Sequence, residues 1–266
     1  MFKKKKRYFT FGCSFTKYSQ GSTWADIYAY QNDLKHYNHG EGGADNLFIA
    51  SRVHEAIHFY DIDKDDEIGI CWSFLGRISN IKPGGLWNLS GGKGINMHGL
   101  WYENKNGFQP ENDMPEEHIE YSLHRDFALM QGVKNTLTLK GIPHRFFYCM
   151  NYFKNINNST KGQMLRLLYK DLNDGTKSYF DIQDKYHGRY EHPTIKEHIQ
   201  MLQKNDITID KPEIFEHANK YSDLLDERTP KMTKNHVDSY FVEDIDGWVS
   251  TDNGKQVVDC LGHPNE

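Results

Sequence analysis

Arg7-Tyr8-Phe9-Thr10-Phe11-Gly12-Cys13-Ser14-Phe15-Thr16 is the stretch on which the fold turns. Tyr8, Phe9 and Phe11 suit a pleated, buried surface, so 7–12 predicts a strand. Gly12 ends it and permits a sharp turn where a side chain would clash. Ser14 follows two positions later, and Ser22 or Thr23 then caps a helix running to Tyr30. Strand, glycine turn, serine and helix is the order in which an α/β fold presents a nucleophile at the carboxyl end of its sheet. The alternative is a surface turn holding an ordinary serine, because Gly-x-Ser alone is a short match.

Outward from this stretch the alternation continues. Lys35–Asn38 predicts a second strand, which runs into a glycine-rich loop from Asn38 to Asn46. Asp45 or Asn46 caps a helix over 47–57, where Phe48, Ile49, Val53, Ala56 and Ile57 recur at helical spacing. A glycine loop at a helix start offers free N–H groups to a developing anion, and this singles out Gly43. Glu67–Ser73 predicts a buried third strand. A long helix follows over 116–140, opened by Pro115 and stopped at Gly141, with Leu123, Phe127, Met130, Val133, Leu137 and Lys140 as a mostly apolar stripe. Ile142–Met150 predicts the fourth strand. Further helices are expected over 161–172, 195–203 and 212–225. Strands alternating with helices predict an α/β fold, with a mostly parallel sheet and helices on both faces.

Length and composition set bounds on this reading. A chain of 266 residues fits one domain, here 1–266, with insertions at about 80–115 and 155–255. A mean hydropathy of −0.78 beside 14% aromatic residues points to a compact core under polar loops. The net charge of −5 gives no general nucleic-acid footprint. Lys3–Arg7 is basic but adjoins the first strand, where it reads as a solubilising cap. No secretory core follows it and no run is long enough for a membrane helix, so no membrane partner is expected and the expected compartment is cytoplasmic. The four cysteines, Cys13, Cys71, Cys149 and Cys260, form no close pair of the zinc-binding kind, so no metal is expected. Three of them fall at the carboxyl ends of strands, where reduced thiols would gather as packing groups. The segment 80–115 carries Trp87, Trp101 and Tyr102 among glycines, and it is long for a plain connector. Its aromatics suit either stacking on sugar faces or packing the loop down.

Gly12-Cys13-Ser14-Phe15-Thr16 resembles the first sequence block of the SGNH, or GDSL-like, hydrolases, with Cys13 where that family has Asp. This form is similar to a divergent branch often met in marine tailed phages and bacteria. The loop around Gly43 is similar to the family's second block. The third block, Gly-x-Asn-Asp, is missing, and Trp72-Ser73-Phe74-Leu75-Gly76-Arg77 stands in its place. Val257-Val258-Asp259-Cys260-Leu261-Gly262-His263-Pro264 resembles the last block, with one extra residue between Asp259 and His263. Arg189-Tyr190-Glu191-His192-Pro193-Thr194 is a second match, without an acid three residues before His192.

The resemblance implies a three-layer flavodoxin-like fold and a serine ester hydrolase of the esterase or deacetylase type. It implies Ser14 as nucleophile, His263 as base with His192 as the alternative, and Asp259 as the orienting acid. The oxyanion would be held by the N–H groups of Ser14 and Gly43 and by a side-chain donor: Asn46 first, with Ser73 or Arg77 as alternatives. Trp72, Arg77, Trp87 and Trp101 are the expected substrate contacts. No cofactor is required. The expected substrate is a small-molecule or glycan ester, with an O-acyl group on a carbohydrate as the leading case. An O-acyltransferase would use the same residues. A sugar-binding or structural protein on the same fold would use none of them catalytically.

Overall fold

The computed structural model describes residues 5–17, 22–75, 77, 80–81, 87–88, 116–182 and 193–226. The expected contributors Asp259, His263, His192 and Trp101 lie outside these residues, as do most of 80–115 and the end of the chain.

Four parallel strands form the central sheet: β1 (Arg7–Gly12), β2 (Lys35–Gly40), β3 (Glu67–Trp72) and, after a short antiparallel pair of β4 (Asn80–Ile81) and β5 (Trp87–Asn88), β6 (His144–Tyr148). Their order across the sheet is β2-β1-β3-β6. The register sets Gly12 beside Gly40 on one side and beside Cys71 on the other, while Trp72 pairs with Tyr148. All four strands therefore end along one edge of the molecule. This is the flavodoxin-like order, in which the winding reverses at the innermost strands and opens a crevice between the carboxyl ends of β1 and β3.

The reversal puts helices on both faces. α1 (Trp24–Gln31) connects β1 to β2 on one face, and α2 (Asn46–Phe59) and α3 (Glu116–Leu139) pack together on the other. After β6 come α4 (Thr160–Leu168), the short α5 (Tyr179–Ile182), α6 (Ile195–Lys204) and α7 (Pro212–Asp226). α6 packs on α1, and α7 packs on α6. Part of the segment expected as an insertion thus supplies the helical layer over α1.

Alternation along β1 fills both layers. Tyr8 meets Tyr28 of α1, while Phe9 stacks on Tyr37 and meets Tyr60 just past α2. Tyr8, Phe9 and Phe11 are fully buried, each stabilising the core by roughly 1.5–3 kcal/mol. Gly69 in β3 is small because Tyr8 and Trp24 fill the space above it: a Cβ there would lie 2.1 Å from Tyr8 Oη. The α3 stripe is core as expected at Leu123, Phe127, Met130, Val133 and Leu137. Lys140 is exposed past the helix end, where Gly141 adopts φ +66°. β2 runs two residues further than expected, through Gly40.

Candidate active site

β1 ends in a turn that Gly12 makes possible. A Cβ on Gly12 would sit 2.1 Å from Thr16 Oγ1 and 2.9 Å from the Cys71 carbonyl oxygen. The chain curls so tightly because the N–H groups of Thr16 and Lys17 both donate to Cys13 O, at 2.9 and 3.0 Å. The indole of Trp24 and the amides of the β2 layer then pin the turn. Trp24 Nε1 donates to Thr16 Oγ1 at 3.1 Å, and Asn38 Nδ2 donates to Thr16 O at 2.8 Å. Cys13, Phe15 and Thr16 are buried beneath the turn, and Ser14 keeps solvent access at its top. Ser14 Oγ has no hydrogen-bond partner among the described residues.

The glycine loop after β2 is tied to this turn. Glu41 N–H donates to Gly12 O at 2.9 Å, and Glu41 pairs with Lys17 at 2.7 Å. Gly43 has φ +78°, a left-handed conformation that other residues adopt only with strain. Asp45 caps α2 by accepting the Phe48 N–H at 2.8 Å.

After β3 the chain enters a buried polar network. Asn46 Oδ1 accepts the Ser73 N–H, and Asn46 Nδ2 donates to Asp126 Oδ2 and to Tyr152 Oη, each at 2.8 Å. Tyr152 in turn donates to Ser73 O. Arg125 Nε donates to Asp126 Oδ1 at 2.7 Å, and Arg125 Nη2 donates to Arg77 O at 2.9 Å. Arg77 Nη1 donates to Ser73 Oγ at 3.0 Å and to Ala44 O at 3.2 Å, with the guanidinium 4.8 Å above the Phe74 ring. Arg77 is buried, and its charge is felt by the thiols of Cys13 and Cys149. It is a cation held between the β2 and β3 exits, close to the Ser14 turn.

Two expected roles are corrected here. Asn46 was expected to donate to the oxyanion, but both of its amide hydrogens are committed, to Asp126 and Tyr152. Its work is to hold Ser73. Trp72 was expected against the substrate, but it is fully buried, edge-on to Phe146 at 5.4 Å. Trp87 lies in the two-residue strand β5, and the placement of its side chain is outside the described structure.

The three described cysteines do gather. Cys149 Sγ lies 3.6 Å from Cys13 Sγ and 3.8 Å from Cys71 Sγ, and all three are buried and free. The hydrogen bond to Cys149, and burial, hold the Cys13 thiol well above its ordinary pKa. Cys13 is therefore a neutral packing group rather than a ready nucleophile.

At the β6 exit Asn151 accepts from the Phe153 and Lys154 N–H groups and donates to Asp181. Burial raises the pKa of Asp181, but its bonds with Lys154 and Ser178 outweigh that and hold it below the ordinary carboxylate range.

Among the described residues one carboxylate–imidazole–hydroxyl series is present, but it is sealed in the core. Asp26 Oδ1 lies 3.3 Å from His36 Nδ1, and His36 Nε2 lies 2.8 Å from Thr10 Oγ1. Thr10 is wholly buried under α1, so no substrate reaches it. Asp26 also accepts the Thr23 N–H at 2.7 Å and closes the start of α1.

Sequence reasoning missed Asp126, Arg125 and Tyr152. Asp126 was detectable: it stands three residues after Leu123 and four before Met130, a carboxylate on an apolar stripe. A polar groove of about 430 Å³ lies along β6 between Lys134, His144, Asp174 and Lys204, away from Ser14. Among the described residues no group of His, Cys, Asp and Glu is placed to hold a metal ion, and no helix is long and apolar enough to cross a membrane.

No protein-family model and no curated protein matches the chain. Among solved structures it is similar to a member of the lipolytic G-D-S-L family from Veillonella parvula, at 12% identity and a TM-score of 0.37, over 75% of this chain and 95% of that one. It is also similar to the YXIM protein of Bacillus subtilis, at 9% identity and a TM-score of 0.33, over 82% of this chain and 47% of that one. A gut microbial diltiazem-metabolizing enzyme is similar at 13% identity and a TM-score of 0.31, over 78% of this chain and 36% of that one. The chain spans less than half the length of these last two.

Proposed function

We propose that this chain is a serine ester hydrolase of the SGNH kind with Ser14 as its nucleophile. The observation that carries the reading is the place of Ser14. It is the solvent-reaching residue of a tight turn at the carboxyl end of β1, beside the crevice where the winding reverses, with the Gly43 loop tied to that turn through Glu41 and the Arg77 guanidinium anchored on Ala44 and Ser73 at the neighbouring exits.

In the mechanism, His263 takes the Ser14 Oγ proton as Oγ attacks the ester carbonyl, and Asp259 holds the imidazole tautomer. His192 is the alternative base. The N–H groups of Ser14 and Gly43 receive the developing oxyanion, and Arg77 supports them as a side-chain donor. The imidazolium returns its proton to the leaving alkoxide, an acyl-serine remains, and water activated by the same histidine releases the acid. The substrate class that fits best is an O-acyl carbohydrate, met by Trp87 and Trp101 of the 80–115 segment.

The test is covalent labelling with a fluorophosphonate probe, read by intact-protein and peptide mass spectrometry. The expected result is one adduct on Ser14, absent in Ser14→Ala and slowed at least about a hundredfold in His263→Ala but not in His192→Ala. An adduct elsewhere, or none under any condition, overturns the assignment. Slowing in His192→Ala alone exchanges the two histidines. Release of acetate from acetylated monosaccharides, compared with p-nitrophenyl acetate, then tests the substrate class.

A further inference from the structure

We propose that Asp126 is a positioning residue for this reaction, setting the main chain at Ser73 and Arg77 and thereby the guanidinium held between the β2 and β3 exits. The proposal rests on the esterase reading for the word reaction, but its geometry stands independently.

An ionised carboxylate only accepts. Asn46 must therefore present its NH₂ to Asp126, which turns its Oδ1 onto the Ser73 N–H. The second Asn46 hydrogen goes to Tyr152 Oη, so the tyrosine proton is directed to the Ser73 carbonyl. Both backbone polar atoms of Ser73 are thus fixed by a series that begins at Asp126. A second arm runs through Arg125, which Asp126 grips and which holds the Arg77 carbonyl. The two arms meet where Arg77 Nη1 donates to Ser73 Oγ.

The groups facing Asp126 are Arg125 on its own helix, Asn46 and Asp45 at the start of α2, and the Tyr152 phenol. Burial is the largest influence and Arg125 opposes it, leaving the Asp126 pKa raised to about 6. Tyr152 is pushed well above its ordinary value, by burial first and by Asp126 next, so it stays a donor. Below about pH 6 the carboxyl acquires its own proton and becomes a donor. One of its oxygens still accepts, but the polarity is no longer imposed from both oxygens, so the Asn46 arm and the Arg125 arm loosen their hold on Ser73 and Arg77 as one event.

The experiment uses the full chain and two readouts. The first is an NMR pH titration of the Ser73 and Arg77 backbone amides and the Asn46 side-chain amide. These resonances should move together with a midpoint near pH 6 in the wild type and stay flat in Asp126→Asn. Independent or absent titration overturns the proposal, and the wild-type measurement needs no variant to fold. The second is the fluorophosphonate labelling rate of Ser14 from pH 5 to 9. Asp126→Asn should be slower than wild type by about tenfold at pH 8, and the two should converge toward pH 5, because the wild-type carboxyl is then itself protonated. A ratio that does not change with pH assigns Asp126 to scaffolding alone and overturns positioning. If the amides titrate together but Ser14 labels at no pH, the hydrolase reading fails while the linkage among Asp126, Ser73 and Arg77 stands.

Discussion

A buried carboxylate with a raised pKa makes the folded state pay for its charge, and the amount is measurable. Asp126 moves from an ordinary 3.8 to about 6 on folding. A difference of about 2.2 pKa units is worth about 3 kcal/mol. The sign follows from which state binds the proton more tightly. The folded state does, so the stabilising contribution is fully present below pH 3.8 and is lost as pH rises through 6. About half of the total, roughly 1–2 kcal/mol, falls between pH 5 and 7.5. Asp126→Asn mimics the protonated acid and cannot ionise. Urea unfolding of wild type and variant at pH 5 and 7.5 isolates the group, because every other titration cancels in the double difference. The expected outcome is a variant that gains roughly 1–2 kcal/mol on the wild type over that interval, whatever the constant offset left by the lost bonds to Asn46 and Arg125. Equal pH dependence in the two proteins refutes the reasoning, and a wild type that gains stability relative to the variant as pH rises reverses its sign.

Gly12→Ala places a Cβ against the Cys71 carbonyl, which cannot retreat without moving β3. It should lose about 1–3 kcal/mol of stability in a thermal or urea melt and slow Ser14 labelling through displacement of the turn. Cys13→Ala should keep the Ser14 adduct, because the thiol is neutral and buried; loss of labelling with the fold intact by circular dichroism would return the nucleophile question to Cys13. Arg77→Ala removes a buried cation from the crevice and should reduce the maximal labelling rate about tenfold or more, while Arg77→Lys restores little because one ammonium cannot span Ala44 O and Ser73 Oγ in the same geometry. Phe127→Ala should cost about 3–5 kcal/mol, since the ring packs against Phe153 and Tyr169 and is buried.

Much of the fold is legible in local chemistry. The aromatic run Tyr8–Phe11, its stop at Gly12 and the spaced apolar residues of 47–57 and 123–137 each state a period and a boundary, and the strand order follows once the helices alternate faces. The gathering of Cys13, Cys71 and Cys149 was legible for the same reason: equal positions at the ends of parallel strands become neighbours. The corrections at Asn46 and Trp72 concern what long-range contacts do to a side chain. Asn46 stands at the start of a helix beside a glycine loop, as an oxyanion donor would, and only the arrival of Asp126 and Tyr152, from 80 and 106 residues away, consumes its hydrogens. Trp72 ends a buried strand, and the direction of its ring was set by the period of 2 and by Phe146, not by its apolar or stacking character. The role of α6 over α1 could not be read from sequence, because a helix 170 residues downstream carries its own amphipathic face and no label for its partner.

The three buried thiols also make the protein its own recorder of breathing. A thiol with no solvent access and a raised pKa is silent to alkylating reagents until the strand ends that cover it part. Cys13, Cys71 and Cys149 report the exits of β1, β3 and β6 respectively, so the order in which iodoacetamide marks them, followed by peptide mass spectrometry, ranks the opening of those exits without any introduced label. If the sheet edge opens as one unit the three will be marked together, and if β6 at the sheet border frays first Cys149 will lead, clocking local motion at the crevice against global unfolding.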